Sequence, residues 1–138
     1  MIEVHLPIRT AWVTALAGLT VNGESIGVYD SVPTNATKNY VVVRDQDSFQ
    51  DIGGRGCEKE TATILIDIVT RFPANTGGKK TSEQIAAEIY SRVSNVALQS
   101  PLQLLSTKKI MDVSLPAEND NNQKIFRKEI RFEHSIFK

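Results

Sequence analysis

Hydrophobic positions along the chain change period several times, and each change marks an element. Ile8, Trp12, Leu16 and Leu19 recur at spacings of four and three, one apolar stripe of an amphipathic helix. Pro7 suits the first turn, where its missing N–H costs nothing, and Gly18 suits the C-terminal stop. Asn22-Gly23 follows, the dipeptide that best tolerates the positive φ angles of a tight hairpin. Ile26, Val28 and Tyr29 then begin a short strand, and residues 31–39, with Pro33 and two asparagines, read as a loop.

The strands beyond that loop are longer. Tyr40 to Val43 opens one that runs on into markedly polar residues before Gly53, Gly54 and Gly56 turn the chain. From Glu60 to Phe72, Ala62, Ile64, Ile66, Ile68 and Phe72 share one face, while Thr61, Thr63, Asp67 and Arg71 share the other. Leu65 and Val69 interrupt the polar face, so part of it should be covered too. Thr81 and Gln84 have the spacing of a capping box, and the helix they start carries Ile85, Ile89, Val93 and Val96 on one side before Pro101. Two strands close the chain, roughly 104–115 and the last one, separated by the turn-forming residues 116–122. On the last, Phe126, Ile130, Phe132 and Ile136 alternate with Arg127, Glu129, Arg131 and Glu133, a buried face against an exposed one of alternating charge. This order predicts an α+β fold: one domain over residues 1–138, an antiparallel β-sheet with two α-helices packed on one face, and extended hairpin or loop excursions.

Composition narrows the class. With 138 residues, 41% hydrophobic and 23% charged, the chain suits a single domain that folds without staples. Sixteen basic residues balance sixteen acidic ones, which argues against affinity resting on a broad basic surface for nucleic acid or anionic lipid. The longest apolar run, Tyr40 to Val43, is far short of the roughly 20 residues a membrane helix needs, so no membrane partner is expected. No basic region followed by an apolar stretch opens the chain, so no signal peptide is expected, and the single cysteine, Cys57, fits a reducing compartment.

Candidate chemistry is sparse. Gly23 to Gly27 spells G-x-S-x-G around Ser25, the pattern of an esterase nucleophile, with Asp112 and His134 downstream. Yet Ser25 leads into a strand, without the helix that a nucleophile elbow requires. A hairpin coincidence is the plainer reading, and a small ligand-binding module or esterase-like enzyme using Ser25 is the alternative. Residues 76–81 resemble a phosphate loop, but Pro73 stands where the first glycine is needed and Lys80 where the magnesium hydroxyl should be. Asp45, Asp47 and Asp51 lack the glycine and terminal glutamate of a calcium loop; Asp45 and Asp47, two apart on a strand, would share one side as a polar edge or assembly contact. His5, His134 and Cys57 have no companions at metal-ligand spacing, and Asn35, Ala36 and Thr37 form a sequon without a secretory route. No catalytic, cofactor-binding or metal-binding residue is assigned, and no enzymatic activity is expected.

One feature stands out instead. The stretches 44–60 and 118–123 are long polar excursions off well-patterned strands. In a ring or stack such hairpins reach a neighbour, although solvated loops would account for them equally well.

The whole order has a counterpart. The amphipathic N-terminal helix, Gly27 to Pro33 (G-V-Y-D-S-V-P), Asn39 to Val43 (N-Y-V-V-V), the glycine bend, the long 61–69 strand, the helix with Gln84, Ile85 and Ala86, and the closing strand pair resemble the tail-completion, or tail-terminator, proteins of long-tailed bacteriophages and prophage-like particles. That resemblance implies a structural virion protein, assembled in the host cytoplasm and residing at the neck of the tail. Copies of the chain would form a ring, typically six-membered, on the head-proximal end of the tail tube, halting its growth and docking a head-completion connector. DNA would pass through the ring without sequence-specific binding. The family offers no catalytic residue to carry over. On the polar excursion and the charged face of the last strand, Arg44, Asp45, Asp47, Arg55, Arg127, Glu129, Arg131 and Glu133 are the candidates for subunit or tube contacts.

Overall fold

A computed structural model describes residues 3–34, 38–51, 59–74, 76–94, 96, 98, 102–120 and 122–137, with only the backbone at 45, 46 and 51. The first helix, α1, spans His5–Ala15. The Glu3 carboxylate starts it, accepting the backbone N–H groups of His5 at 2.7 Å and Leu6 at 2.9 Å. The bond from Leu6 is the main reason the Glu3 carboxyl sits below its ordinary pKa. Gly18 leaves the helix at φ +67°. A two-residue turn at Asn22 (φ 54°) and Gly23 (φ 78°) joins β1 (Thr20–Val21) to β2 (Glu24–Ser25) as the dipeptide predicts.

The sheet is built from β3 (Gly27–Tyr29), β4 (Tyr40–Asp51), β5 (Lys59–Pro73), β6 (Gln103–Ser114), β7 (Glu118–Asp120) and β8 (Gln123–Phe137). Its order is β3-β4-β5-β8-β6, with β7 also paired to β8. The second helix, α2, spans Lys80–Val93.

Two expectations about this architecture fail. Among the described residues strands hold more than twice as many residues as helices, so the α+β description with a wholly antiparallel sheet gives way to a strand-dominated fold around one mixed sheet. The mixture arises because β3 pairs parallel with β4, Val28 lying beside Val41. Thr81 and Gln84 do not form a capping box either. The cap position falls two residues earlier, at Lys79, and the Gln84 side-chain oxygen accepts from Asn22 Nδ2 at 2.7 Å, tying α2 to the β1–β2 turn. A nearby donor in the hairpin competed successfully for that oxygen.

The main core lies between the helices and one sheet face. Ile8 and Trp12 from α1 and Ile85, Ile89 and Val93 from α2 meet Val41, Val43, Ile64, Ile66, Ile68, Ile130, Phe132 and Ile136. A smaller cluster, Tyr40, Val42, Val69 and Ile125, covers part of the opposite face, as Val69 suggested. Polar pairs close the remaining gaps. Within the core, Trp12 Nε1 donates to His134 Nε2 at 2.9 Å, and His134 Nδ1 donates to the Ala62 carbonyl at 3.2 Å. Arg92 bonds Glu88 at 3.0 Å within α2 and the Ala17 carbonyl at 2.9 Å beyond α1, holding the two helices together.

Register determines where the sheet's ends and edges lie. β5 pairs with β8 without a break from Lys59↔Phe137 to Pro73↔Gln123. β6 and β7 run along the other side of β8 as one interrupted strand, broken near Pro116, which has no N–H to give the ladder. The polar excursions therefore leave opposite ends of the sheet: the β4–β5 hairpin at the end marked by Gln103 and Phe137, and the β7–β8 turn at the end marked by Ala74 and Asn122.

Candidate assembly interface

Strand alternation places Arg44, Asp67, Arg127, Glu129, Arg131 and Glu133 on the sheet face away from the helices. Arg44 and Asp67 form an ion pair at 3.6 Å. Burial is the chief influence on the Asp67 carboxyl and raises its pKa, Arg127 and Arg44 only partly opposing it and Glu129 adding to it. Arg127 and Arg131 each have a buried Nε without a hydrogen-bond partner among the described residues.

The charges of β8 are less open than the sequence suggests. Arg127, Glu129, Arg131 and Glu133 are half-buried, because β8 is an interior strand. Its cross-strand neighbours Val69, Leu65, Met111 and Val113 flank them. Nothing in local alternation distinguishes an interior strand from an edge, since both show the same period of two.

Asp47 is exposed, and a register shift between Asp45 and Ser48 places it in a β-bulge. Its backbone N–H donates to Thr63 Oγ1 at 3.2 Å and its carboxylate accepts from the same hydroxyl. The strict alternation that would set Asp45 and Asp47 on one side is thus interrupted at this point. Arg55, Cys57, the glycine bend and the sequon at 35–37 lie outside the described residues.

The esterase constellation is not assembled. Ser25 is exposed in the two-residue strand of a hairpin. His134 has both ring nitrogens engaged in the core, and Asp112 accepts from Lys128 Nζ at 2.6 Å on β6. Among the described residues no group of three or more potential ligands could hold a metal ion. No helix among them is long and apolar enough to cross a membrane.

The Lys128–Asp112 contact has a consequence for stability. Burial acts most strongly on Asp112 and favours its neutral form, but the ammonium groups of Lys128 and Lys109 outweigh it and hold the pKa below the ordinary value. The stabilisation is complete above the ordinary carboxylate range and disappears as pH falls through the lowered pKa. Asp112→Asn leaves a nearly buried ammonium without its anion; we expect a loss of about 1–3 kcal/mol at neutral pH, shrinking in acid, from urea melts across pH.

Sequence reasoning passed over the apolar side chains left exposed at the sheet's two edges. At one edge are Leu6 and Val13 on α1, with Tyr29 and Val32 at and after β3. A groove of about 400 Å³ runs between α1 and β3, lined by Val13, Val28, Tyr29 and Asp30, among others. At the other edge are Leu105, Ile110 and Val113 on β6. A second hollow, about 310 Å³, lies where Ser94 and Val96 meet Leu104 to Thr107. The signal was available: Leu105 and Ile110 break the alternation of their strand, and each proves to be the extra residue of a register shift.

No family model matches the sequence, and no curated protein matches it. Solved structures do. A chain of the virion of a native gene transfer agent (GTA) particle superposes with a TM-score of 0.73 at 17% identity, covering 100% of both chains. A second solved chain gives a TM-score of 0.51 at 14% identity over 97% of this chain and 96% of its own. At such identities the shared property is the fold, which extends from end to end of the chain.

Proposed function

We propose that this chain is a structural virion protein, the tail terminator of a phage-like particle. Copies close into a ring, six-membered by the family's habit, on the head-proximal end of the tail tube. The ring ends tube growth and presents a surface to the head-completion connector. DNA passes through its centre without sequence-specific contacts. The observation that carries this reading is the full-length match in fold to a GTA virion chain, joined to the tail-terminator pattern in the sequence.

The architecture suits that role. A subunit between a tube and a connector needs two different ends, and here polar extensions leave opposite ends of one sheet. Ring closure needs two different lateral patches, since a heterologous contact repeated by rotation closes on itself. Arg44, Asp45, Asp47 and Arg55 on the β4–β5 excursion, with Arg127, Glu129, Arg131 and Glu133 on the outer sheet face, are the candidates for subunit and tube contacts. A neutral chain can make such contacts through paired charges without binding DNA indiscriminately.

Deleting the gene from a particle-producing strain tests the role. Tubes of uncontrolled length, detached from filled heads in electron micrographs and corrected by the gene in trans, are expected. Normal tails joined to heads in the deletion strain would remove the proposal.

A further inference from the structure

We propose that the β6 edge of one copy docks into the α1–β3 groove of a second copy, with Ile110 and its apolar neighbours entering beside Val13, Val28 and Tyr29. This inference rests on the ring reading and names the surfaces that close it.

β6 is a 12-residue strand paired only to β8 among the described residues, so its outer backbone row is free there. Edge strands of this length invite uncontrolled pairing, and proteins blunt them with bulges and lysines. β6 has both devices, register shifts at Leu105 and Ile110 and the exposed Lys108 and Lys109. Protection alone, however, gives no reason for the extra residues to be leucine and isoleucine, each 47% exposed. The bulges interrupt a continuous ladder while pushing apolar side chains outward, which selects docking by side chains over strand addition.

The occupant follows from symmetry and from where the apolar patches lie. Two β6 edges meeting about a two-fold axis would close a dimer and leave the α1–β3 groove uncovered, whereas a ring uses two different patches on each copy. The α1–β3 groove carries both Arg9 and Asp30 on its lining, so it is balanced in charge and its apolar side chains, Val13, Val28 and Tyr29, are what it offers a partner. It also lies at the far end of the strand order from β6. β3 and β6 run in opposite senses, so rotation of a copy about an axis along the strands brings the two edges together antiparallel without turning the copy over. Apart from Phe49, the large apolar side chains left exposed among the described residues all lie at these edges. Two unlike patches on opposite edges are what a closed ring of identical subunits requires.

Mixing variants of the full chain, without tubes, tests this directly. Sedimentation velocity and native mass spectrometry should show oligomers for the wild type. Ile110→Asp and Val13→Asp should each weaken self-association about tenfold or more, with melting curves unchanged. Mixed together, the two variants should form one-to-one dimers, because each retains the half of the contact the other lost. Should either lose its fold, Val113→Asp and Thr10→Arg occupy exposed positions on the same two edges. A wild type that stays monomeric throughout its soluble range, variants that still assemble, or a mixture without heterodimers would overturn the docking. These readouts need no virion, so the gene-deletion result can stand or fall separately.

Discussion

Trp12→Ala should cost the fold about 3–5 kcal/mol, the range for deleting a large aromatic side chain from a packed core. Trp12 is 0% exposed. Its ring lies 5.0 Å from that of Phe132 and 5.7 Å from that of His134, centre to centre. It thereby joins α1 to β8, an interior strand. Truncation leaves a cavity and also removes the N–H that satisfies His134 Nε2. The expected result is a urea midpoint far below that of the wild type.

The same contact makes stability depend on pH. Burial is the main reason the His134 pKa lies below 6.5, the hydrogen bond to Ala62 opposing it only in part. In the folded chain Nδ1 donates to Ala62 and Nε2 accepts from Trp12, an arrangement that fits the neutral ring alone. A folded pKa below the unfolded one gives stability that is complete above about 6.5 and lost as pH falls below it toward the depressed folded value. Scanning the melting midpoint from pH 8 to pH 5 should reveal a decline that His134→Gln flattens. A flat wild-type profile would show that the ring is not held neutral.

Reversing both Arg127 and Arg131 to glutamate is the second large effect. Each new carboxylate would lie on the half-buried outer face with Glu129, Glu133 and Asp67, and the attraction of Arg127 for Asp67 would be lost. Like charges in half-buried sites lead us to expect a loss of about 2–4 kcal/mol in the monomer itself. The reversal therefore cannot serve as a clean test of assembly. Arg127→Gln with Arg131→Gln removes the charges without adding like ones. That variant should keep its melting midpoint within a few degrees while ring formation on tubes weakens. A collapse of its fold, or unaltered assembly, would remove these arginines from the contact set.

Local pattern carried much of the architecture. The stripe Ile8, Trp12, Leu16 places α1 on the core, Asn22-Gly23 makes the hairpin, and the alternation from Ala62 to Ile68 marks the core face of β5. Non-local choices were not legible. Three residues of β3 could not announce a parallel partner, and the spacing of Arg127 to Glu133 is the same for an interior strand as for an edge. Gln84 found Asn22 in place of Thr81, a competition between donors that only tertiary proximity decides. His134 looked incidental because it stood alone in the sequence. Its parity with Ile130, Phe132 and Ile136 on β8 was the available clue that it belongs to the core. The candidate contacts on Arg127 to Glu133 were legible as a face, whereas the apolar edges became visible only once the strand order was known.

Electron cryomicroscopy of the purified protein mixed with tail tubes would show where on a tube the protein binds and in what form. A terminator should form a closed ring of density on one end of each tube and leave none along its length. Bare tube ends, or protein scattered along the tube wall as single copies, would contradict that role.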